Sequence, residues 1–139
     1  MQLHQLTEQL SVAAQISPED MADLAAAGFR SVINNRPDGE ADGQPASALL
    51  AAVAASHGLA YRHLPVVSGH LSEQDAVDFS AALRSLPSPV LAFCRSGTRS
   101  CSLWVLQADG DADAVLDTAL RAGYDLQSLR PKMLHRSGR

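Results

Sequence analysis

The residues best suited to chemistry lie in the stretch VLAFCRSGTRS, residues 90–100. An apolar run ends at Cys94, and a donor-rich segment follows that leads to Arg99. A parallel strand that turns into a helix gathers backbone N–H groups and the helix N-terminus around one point, which makes an anion site. Gly97 permits a backbone conformation that a side chain would block. We therefore expect Cys94 and Arg99 to form a catalytic pair.

Hydroxyls and a second positive charge surround Cys94 in this segment. A helix N-terminus and nearby cations favour the thiolate over the thiol, and the thiolate is the nucleophile. We predict that Cys94 attacks an electrophile and carries a covalent intermediate, while the loop amides and Arg99 hold the anion. The alternative is a structural cysteine at a strand end, which the convergence of donors disfavours. The predicted anion-binding loop comprises Arg95, Ser96, Gly97, Thr98 and Ser100.

The elements around this loop alternate between strand and helix patterns. VLAF is apolar without alternation, which is typical of a central parallel strand covered by helices on both faces. Ser17 and Pro18 predict the start of a helix that ends at Gly28, and Ser72 predicts the N-cap of another. The pattern indicates one α/β domain over residues 1–139, with a mostly parallel sheet of about four strands. Further strands are predicted in SVAAQI, FRSVINN and LAYRHLPV, and further helices in ASALLAAVAASHG, SCSLWVLQA and DADAVLDTALRAG.

Composition and charge exclude several functions. The chain has 139 residues, 46% of them hydrophobic, and a net charge of −4. Its basic residues are scattered, so we expect no nucleic-acid partner. No stretch has the length of a membrane span, and the first ten residues lack a signal-peptide pattern. We therefore expect no membrane association and a cytoplasmic location. We expect no cofactor and no metal, because metal-ligand spacing is lacking among His4, His57, His63 and His135.

The chain resembles a known bacterial family in three stretches. These are QISPEDMADLAAAGFRSVINNRPDGE, YRHLPVVSG and the loop CRSGTRS. Together they are similar to the phosphatase-like domain of the beta-lactamase-hydrolase-like family, a relative of the tyrosine and dual-specificity phosphatases, over roughly residues 8 to 130. The resemblance implies a three-layer sandwich of the protein tyrosine phosphatase type. The loop alone also resembles the active-site loop of rhodanese sulfurtransferases.

The resemblance leaves two reactions open. Phosphatases of this fold have one more residue between the cysteine and the arginine than Cys94 and Arg99 have here. A shorter loop suits one sulfur atom carried as a persulfide, so sulfur transfer is our first prediction. The alternative is a phosphatase with a cysteinyl-phosphate intermediate, and a third option is a module that binds phosphate or sulfate without turnover. The expected partners are a small anion, either thiosulfate, a persulfide or a phosphoester, and a protein acceptor.

The proton donor is the second departure from the phosphatase pattern. Dual-specificity phosphatases place an aspartate after the strand that YRHLPV matches, and residues 67–69 contain no carboxylate. The alternative donors are His70, Asp38 and Glu40. Arg36 follows a strand and is a candidate for substrate binding at the same sheet edge. Cys101 can resolve an oxidised Cys94, although a small core residue is the favoured interpretation.

Overall fold

The computed structural model describes residues 1–133 and contains a five-stranded sheet in the order β1-β2-β5-β3-β4. β1 pairs antiparallel with β2, and the other neighbouring strands are parallel. The predicted α/β class is confirmed, but the sheet has five strands rather than about four. The additional strand, β1, has only three residues of mixed polarity, so no alternating pattern marks it. The strands are β1 Leu3–Gln5, β2 Leu10–Ala13, β3 Ser31–Asn34, β4 Ala60–His63 and β5 Val90–Phe93.

Five α-helices and a short 3₁₀ helix complete this part of the chain. Ser72 caps α3 as predicted, in a reciprocal capping box with Asp75. The first helix begins later than predicted, because Ser17 and Pro18 form a turn in which the Asp20 carboxylate accepts the Ser17 N–H. The helices are α1 Asp20–Ala26, α2 Ser47–Ser56, α3 Glu73–Ser85, α4 Thr98–Gln107 and α5 Ala112–Arg121, followed by the 3₁₀ helix Gln127–Lys132.

The sheet is the middle of three layers, and its central strand is buried on both faces. Val90 and Ala92 of β5 pack in one cluster with residues of α3, α4 and α5. Leu91 and Phe93 pack in a second cluster with residues of α1 and α2. The unbroken apolar sequence of β5 thus matches burial on both sides, as expected of a covered parallel strand.

The parallel strands bring three loops to one edge of the sheet. β5 lies between β2 and β3, so the residues after these strands, Gln15, Arg36 and Cys94, meet at the carboxyl edge. Backbone hydrogen bonds join the loops: Asn35 N–H donates to Phe93 C=O at 2.8 Å, and Gln15 N–H donates to Arg95 C=O at 3.2 Å. This is where ligands of open α/β sheets bind.

No helix in residues 1–133 has the length and apolar character needed to cross a membrane. Within the same residues, no group of three or more histidine, cysteine, aspartate or glutamate side chains is arranged to hold a metal ion. His135, one of the four histidines considered as metal ligands, lies outside the described residues.

Candidate active site

Cys94 lies buried at the end of β5, where the loop folds back over its sulfur. The Gly97 N–H donates a hydrogen bond to Cys94 Sγ at 3.1 Å. Gly97 has a φ of 93°, a conformation that L side chains rarely adopt. A Cβ at this position would also collide with the Tyr124 hydroxyl and lie 3.3 Å from the Ala13 carbonyl carbon. The glycine in the motif is therefore required by backbone conformation and by space.

The loop leads directly into α4, so the N-terminus of that helix lies at the cysteine. Gly97 is the N-cap, Thr98 is the first helical residue, and the Cys101 N–H closes the first turn on the Gly97 carbonyl. The first N–H groups of the helix, which have no partner within the helix itself, and the positive end of the helix dipole favour negative charge at this point. The arrangement can stabilise a thiolate and an anion beside it.

Arg99 is buried in the first turn of α4 and is held by bonds outside the loop. Its Nη1 donates to Glu40 Oε2 at 2.8 Å and to the Val66 carbonyl at 2.9 Å, and its Nη2 donates to Glu40 Oε1 at 2.9 Å. These bonds engage three of the five guanidinium donors. The hydrogen bond to Glu40 raises the pKa of Arg99, burial opposes this rise, and the charge of Cys94 adds to it. Arg99 is thus anchored to Glu40 and to the Val66 backbone, beside the loop that holds Cys94.

Glu40 bridges two arginines, which corrects the role of proton donor that we predicted for it. Besides the fork of Arg99, it accepts a hydrogen bond from Arg36 Nε at 2.9 Å. The hydrogen bond from Arg99 is the largest effect that lowers the pKa of Glu40 to about 2, and Arg36 adds to it. Glu40 is therefore ionised at neutral pH and unsuited to give a proton to a leaving group.

The two other predicted donors lie elsewhere in the same region. Asp38 Oδ1 accepts a hydrogen bond from the Ser47 N–H at 2.8 Å, so its carboxylate binds the first backbone N–H of α2. This contact favours a structural role for Asp38 over the proton donation for which it was one candidate. His70 lies exposed in a turn closed by its N–H on the Val67 carbonyl at 3.0 Å. Neither contact connects these side chains with Cys94.

Arg36 lies at the carboxyl edge, as predicted, and is almost fully buried. Its Nη1 donates to Gln15 Oε1 at 3.0 Å, in addition to the bond from Nε to Glu40. Its backbone is also fixed, since its carbonyl lies 2.8 Å from His63 Nε2. Two arginines against one glutamate leave net positive charge here, which suits an anionic substrate.

The remaining loop residues divide into exposed and buried sets. Arg95, Ser96 and Thr98 are exposed at the surface of the loop. Ser100 is fully buried, and its hydroxyl donates to Asn35 Oδ1 at 2.8 Å. Because this bond anchors α4 to the end of β3, it favours an anchoring role for the Ser100 hydroxyl over the anion-binding role predicted for it.

Cys101 is buried in the core behind the loop. Burial raises the pKa of its thiol to about 12, with a further contribution from Cys94. The small core residue that we favoured for this position agrees with its place in the cluster beneath α3, α4 and α5.

Sequence reasoning missed several residues that build the site. Asn35 was missed, although two asparagines at the end of a buried strand are a signal of polar contacts at the sheet edge. Gln15 and Val66 bind the arginines through contacts that span 21 and 33 residues, which no local pattern reveals. Tyr124 reaches the loop from beyond α5, again without a local signal.

Comparison with known proteins places the chain in a family. The model of the phosphatase-like domain of beta-lactamase hydrolase-like proteins matches residues 2–114. The chain belongs to this family. It is 37% identical over 106 residues to the beta-lactamase hydrolase-like protein of Agrobacterium fabrum and 36% identical over 106 residues to that of Xylella fastidiosa. Each match covers 76% of this chain and 25% of the relative, so the chain spans about a quarter of the curated relatives' length.

Solved structures confirm the phosphatase-type fold. A Neisseria meningitidis protein, provisionally described as a phosphatase, matches with a TM-score of 0.83 and 29% identity over 94% of both chains. The catalytic domain of the PP-IP phosphatase SIW14 from S. cerevisiae, in complex with citrate, has a TM-score of 0.68 at 14% identity. That match covers 91% of this chain and 79% of the yeast domain, and shows the fold alone. These findings support the phosphatase alternative better than the sulfurtransferase that we predicted first.

Proposed function

We propose that this chain is a cysteine-dependent enzyme of the phosphatase type that acts on small anionic substrates. The observation that carries the proposal is the Gly97 N–H bonded to Cys94 Sγ at 3.1 Å, at the N-terminus of a helix whose first turn supplies Arg99. A nucleophile, backbone donors and a fixed guanidinium thus converge on one point, which is the arrangement that anionic transition states require. The family and its phosphatase-type fold support the same interpretation.

The proposed reaction proceeds in two steps. The Cys94 thiolate attacks phosphorus, the bond from phosphorus to the leaving oxygen breaks with its electron pair, and a cysteinyl phosphate forms. Arg99 and the loop N–H groups hold the nonbridging oxygens during this transfer. Water then attacks phosphorus, the S–P bond breaks, and inorganic phosphate and the Cys94 thiolate are released.

The leaving group restricts the phosphoesters that this site can cleave. Positioned proton transfer typically contributes 10² to 10⁴ in rate. Glu40 is bound by two arginines and Asp38 by the beginning of α2, so neither carboxylate is available for this transfer. We expect substrates whose leaving oxygen is stable as an anion, such as aryl phosphates, to react much faster than alkyl phosphates.

The same lack of an available carboxylic acid favours sulfur transfer as the second candidate. In that reaction the Cys94 thiolate attacks the outer sulfur of thiosulfate, the S–S bond breaks, and sulfite departs as a stable anion without a proton donor. The persulfide sulfur then passes to an acceptor thiol, or to cyanide as thiocyanate. The short spacing from Cys94 to Arg99 also favours a small transferred group.

A turnover assay separates these candidates. The protein is incubated with an aryl phosphate, with an alkyl phosphate, and with thiosulfate plus cyanide, beside Cys94→Ser and the matched variant Cys101→Ala. Phosphate release from the aryl ester that is lost in Cys94→Ser and kept in Cys101→Ala supports the phosphatase. Thiocyanate formation without phosphate release supports sulfur transfer and overturns the first proposal. Anion binding without turnover of any of the three reagents overturns both.

A further inference from the structure

Tyr124 contacts the loop from a distant part of the chain. It follows α5 and lies beyond residues 2–114, which the family model matches. Its hydroxyl donates to the Ser96 carbonyl at 3.3 Å. Its ring packs edge-on against His4, with centroids 5.6 Å apart and an interplanar angle of 85°. The ring is thus held from one side, with its hydroxyl on the loop.

The Tyr124 hydroxyl and the Cys94 sulfur bind opposite sides of one peptide group. The Ser96 carbonyl accepts from Tyr124, and the Gly97 N–H of the same peptide donates to Cys94 Sγ at 3.1 Å. A trans peptide is planar, and its C=O and N–H point in opposite directions. The two hydrogen bonds therefore fix the peptide plane with its N–H on the sulfur. They also polarise each other, which strengthens the N–H as a donor.

The surroundings of Gly97 and of the hydroxyl agree with this arrangement. Gly97 has no Cβ to restrict rotation about its φ, so the contact from Tyr124 limits a peptide plane that the backbone alone would leave freer. Burial raises the pKa of Tyr124 to about 12, and the charges of Cys101 and Cys94 contribute to this rise. The hydroxyl is therefore protonated at neutral pH and able to donate.

We propose that Tyr124 is a positioning residue, whose hydroxyl holds the Ser96–Gly97 peptide with its N–H directed at the Cys94 sulfur. It acts on the nucleophile through the peptide and does not contact the reacting group. The proposal deepens the proposed function and rests on it only in that Cys94 is the nucleophile.

The test is the rate at which iodoacetamide alkylates Cys94, because alkylation needs no substrate or turnover. We compare Tyr124→Phe with the wild type and with Tyr61→Phe, which removes the other tyrosine hydroxyl, bonded to Asn34 and Ser47. Loss of the contact weakens one neutral hydrogen bond, so the rate at neutral pH falls about threefold in Tyr124→Phe alone.

Equal rates for Tyr124→Phe and the wild type at neutral pH overturn the proposal. A rate that falls equally in Tyr124→Phe and in Tyr61→Phe also overturns it, since a general loss of structure then explains the effect. A second measurement is the amide proton resonance of Gly97, which moves upfield in Tyr124→Phe if its bond to sulfur weakens and is unchanged if the proposal is wrong. A protein inactive towards phosphoesters and thiosulfate still permits both tests, so failure of the proposed function is distinguishable.

Discussion

The ion pairs of Glu40 give the sharpest prediction about the site. Glu40→Gln keeps the shape of the side chain but leaves Arg36 and Arg99 without their shared negative charge. Lowering the pKa of Glu40 from 4.5 to about 2 corresponds to a contribution of about 3 kcal/mol to the free energy of unfolding, because one pKa unit equals about 1.36 kcal/mol. The side chain is 24% exposed, so solvent screening reduces this value to about 1.5 kcal/mol. For a chain of this size the melting temperature falls by about 5 °C.

The pH dependence of this loss distinguishes the ion pairs from a general effect of the substitution. A carboxylate whose pKa is lowered by folding contributes stability that is fully present above its unfolded pKa of about 4.5 and disappears as pH falls through about 2. The variant lacks this contribution at every pH. The difference in free energy of unfolding is therefore constant near neutral pH and shrinks between these two values.

The assay is urea denaturation of both proteins over a pH series, with Glu8→Gln as the matched control. Glu8 is exposed and takes part in none of the ion pairs seen in residues 1–133. Added inorganic phosphate raises the free energy of unfolding more for Glu40→Gln than for the wild type, because it replaces the missing negative charge between the arginines. Equal stability at neutral pH, or a difference that persists unchanged to the lowest pH, would refute the reasoning.

Three further substitutions test the supports of the loop. Gly97→Ala introduces a Cβ at a left-handed φ and against Tyr124, so we expect the free energy of unfolding to fall by about 1–2 kcal/mol, as measured by denaturation. We also expect slower alkylation of Cys94, followed by intact mass. Ser100→Ala leaves the buried Asn35 Oδ1 without its donor and costs about 1–3 kcal/mol, and an unchanged melting temperature would contradict this bond. Ser72→Ala removes the cap of α3 and costs about 1 kcal/mol, while the rate of Cys94 alkylation stays at its wild-type value.

Local patterns predicted the parts of the site that depend on neighbouring residues. The run VLAF, the turn at Gly97 and the helix after it follow from burial, backbone freedom and capping within a few positions. The cap at Ser72 was likewise predicted from its own segment and is confirmed. Because each of these features is local, the amino-acid sequence alone is sufficient to place the loop at the carboxyl end of a central strand.

Contacts between distant segments decide the rest. Glu40 and Arg99 are 59 residues apart, so the sequence marked Glu40 as a carboxylate near the site but gave no indication that two arginines would hold it ionised. The partner of the Ser100 hydroxyl is 65 residues away, and Tyr124 reaches Ser96 across 28. The strand β1 was missed for the same reason, since its pairing with β2 and not its composition makes it a strand.

The central claim is that Cys94 carries the transferred group. The most direct measurement is the intact mass of the protein, rapidly quenched after mixing with an aryl phosphate or with thiosulfate, followed by mapping of the modified peptide. We predict a phosphoryl or single-sulfur adduct on the peptide that contains Cys94, present in Cys101→Ala and absent in Cys94→Ser. An adduct on another residue, or turnover that survives in Cys94→Ser, would contradict the account.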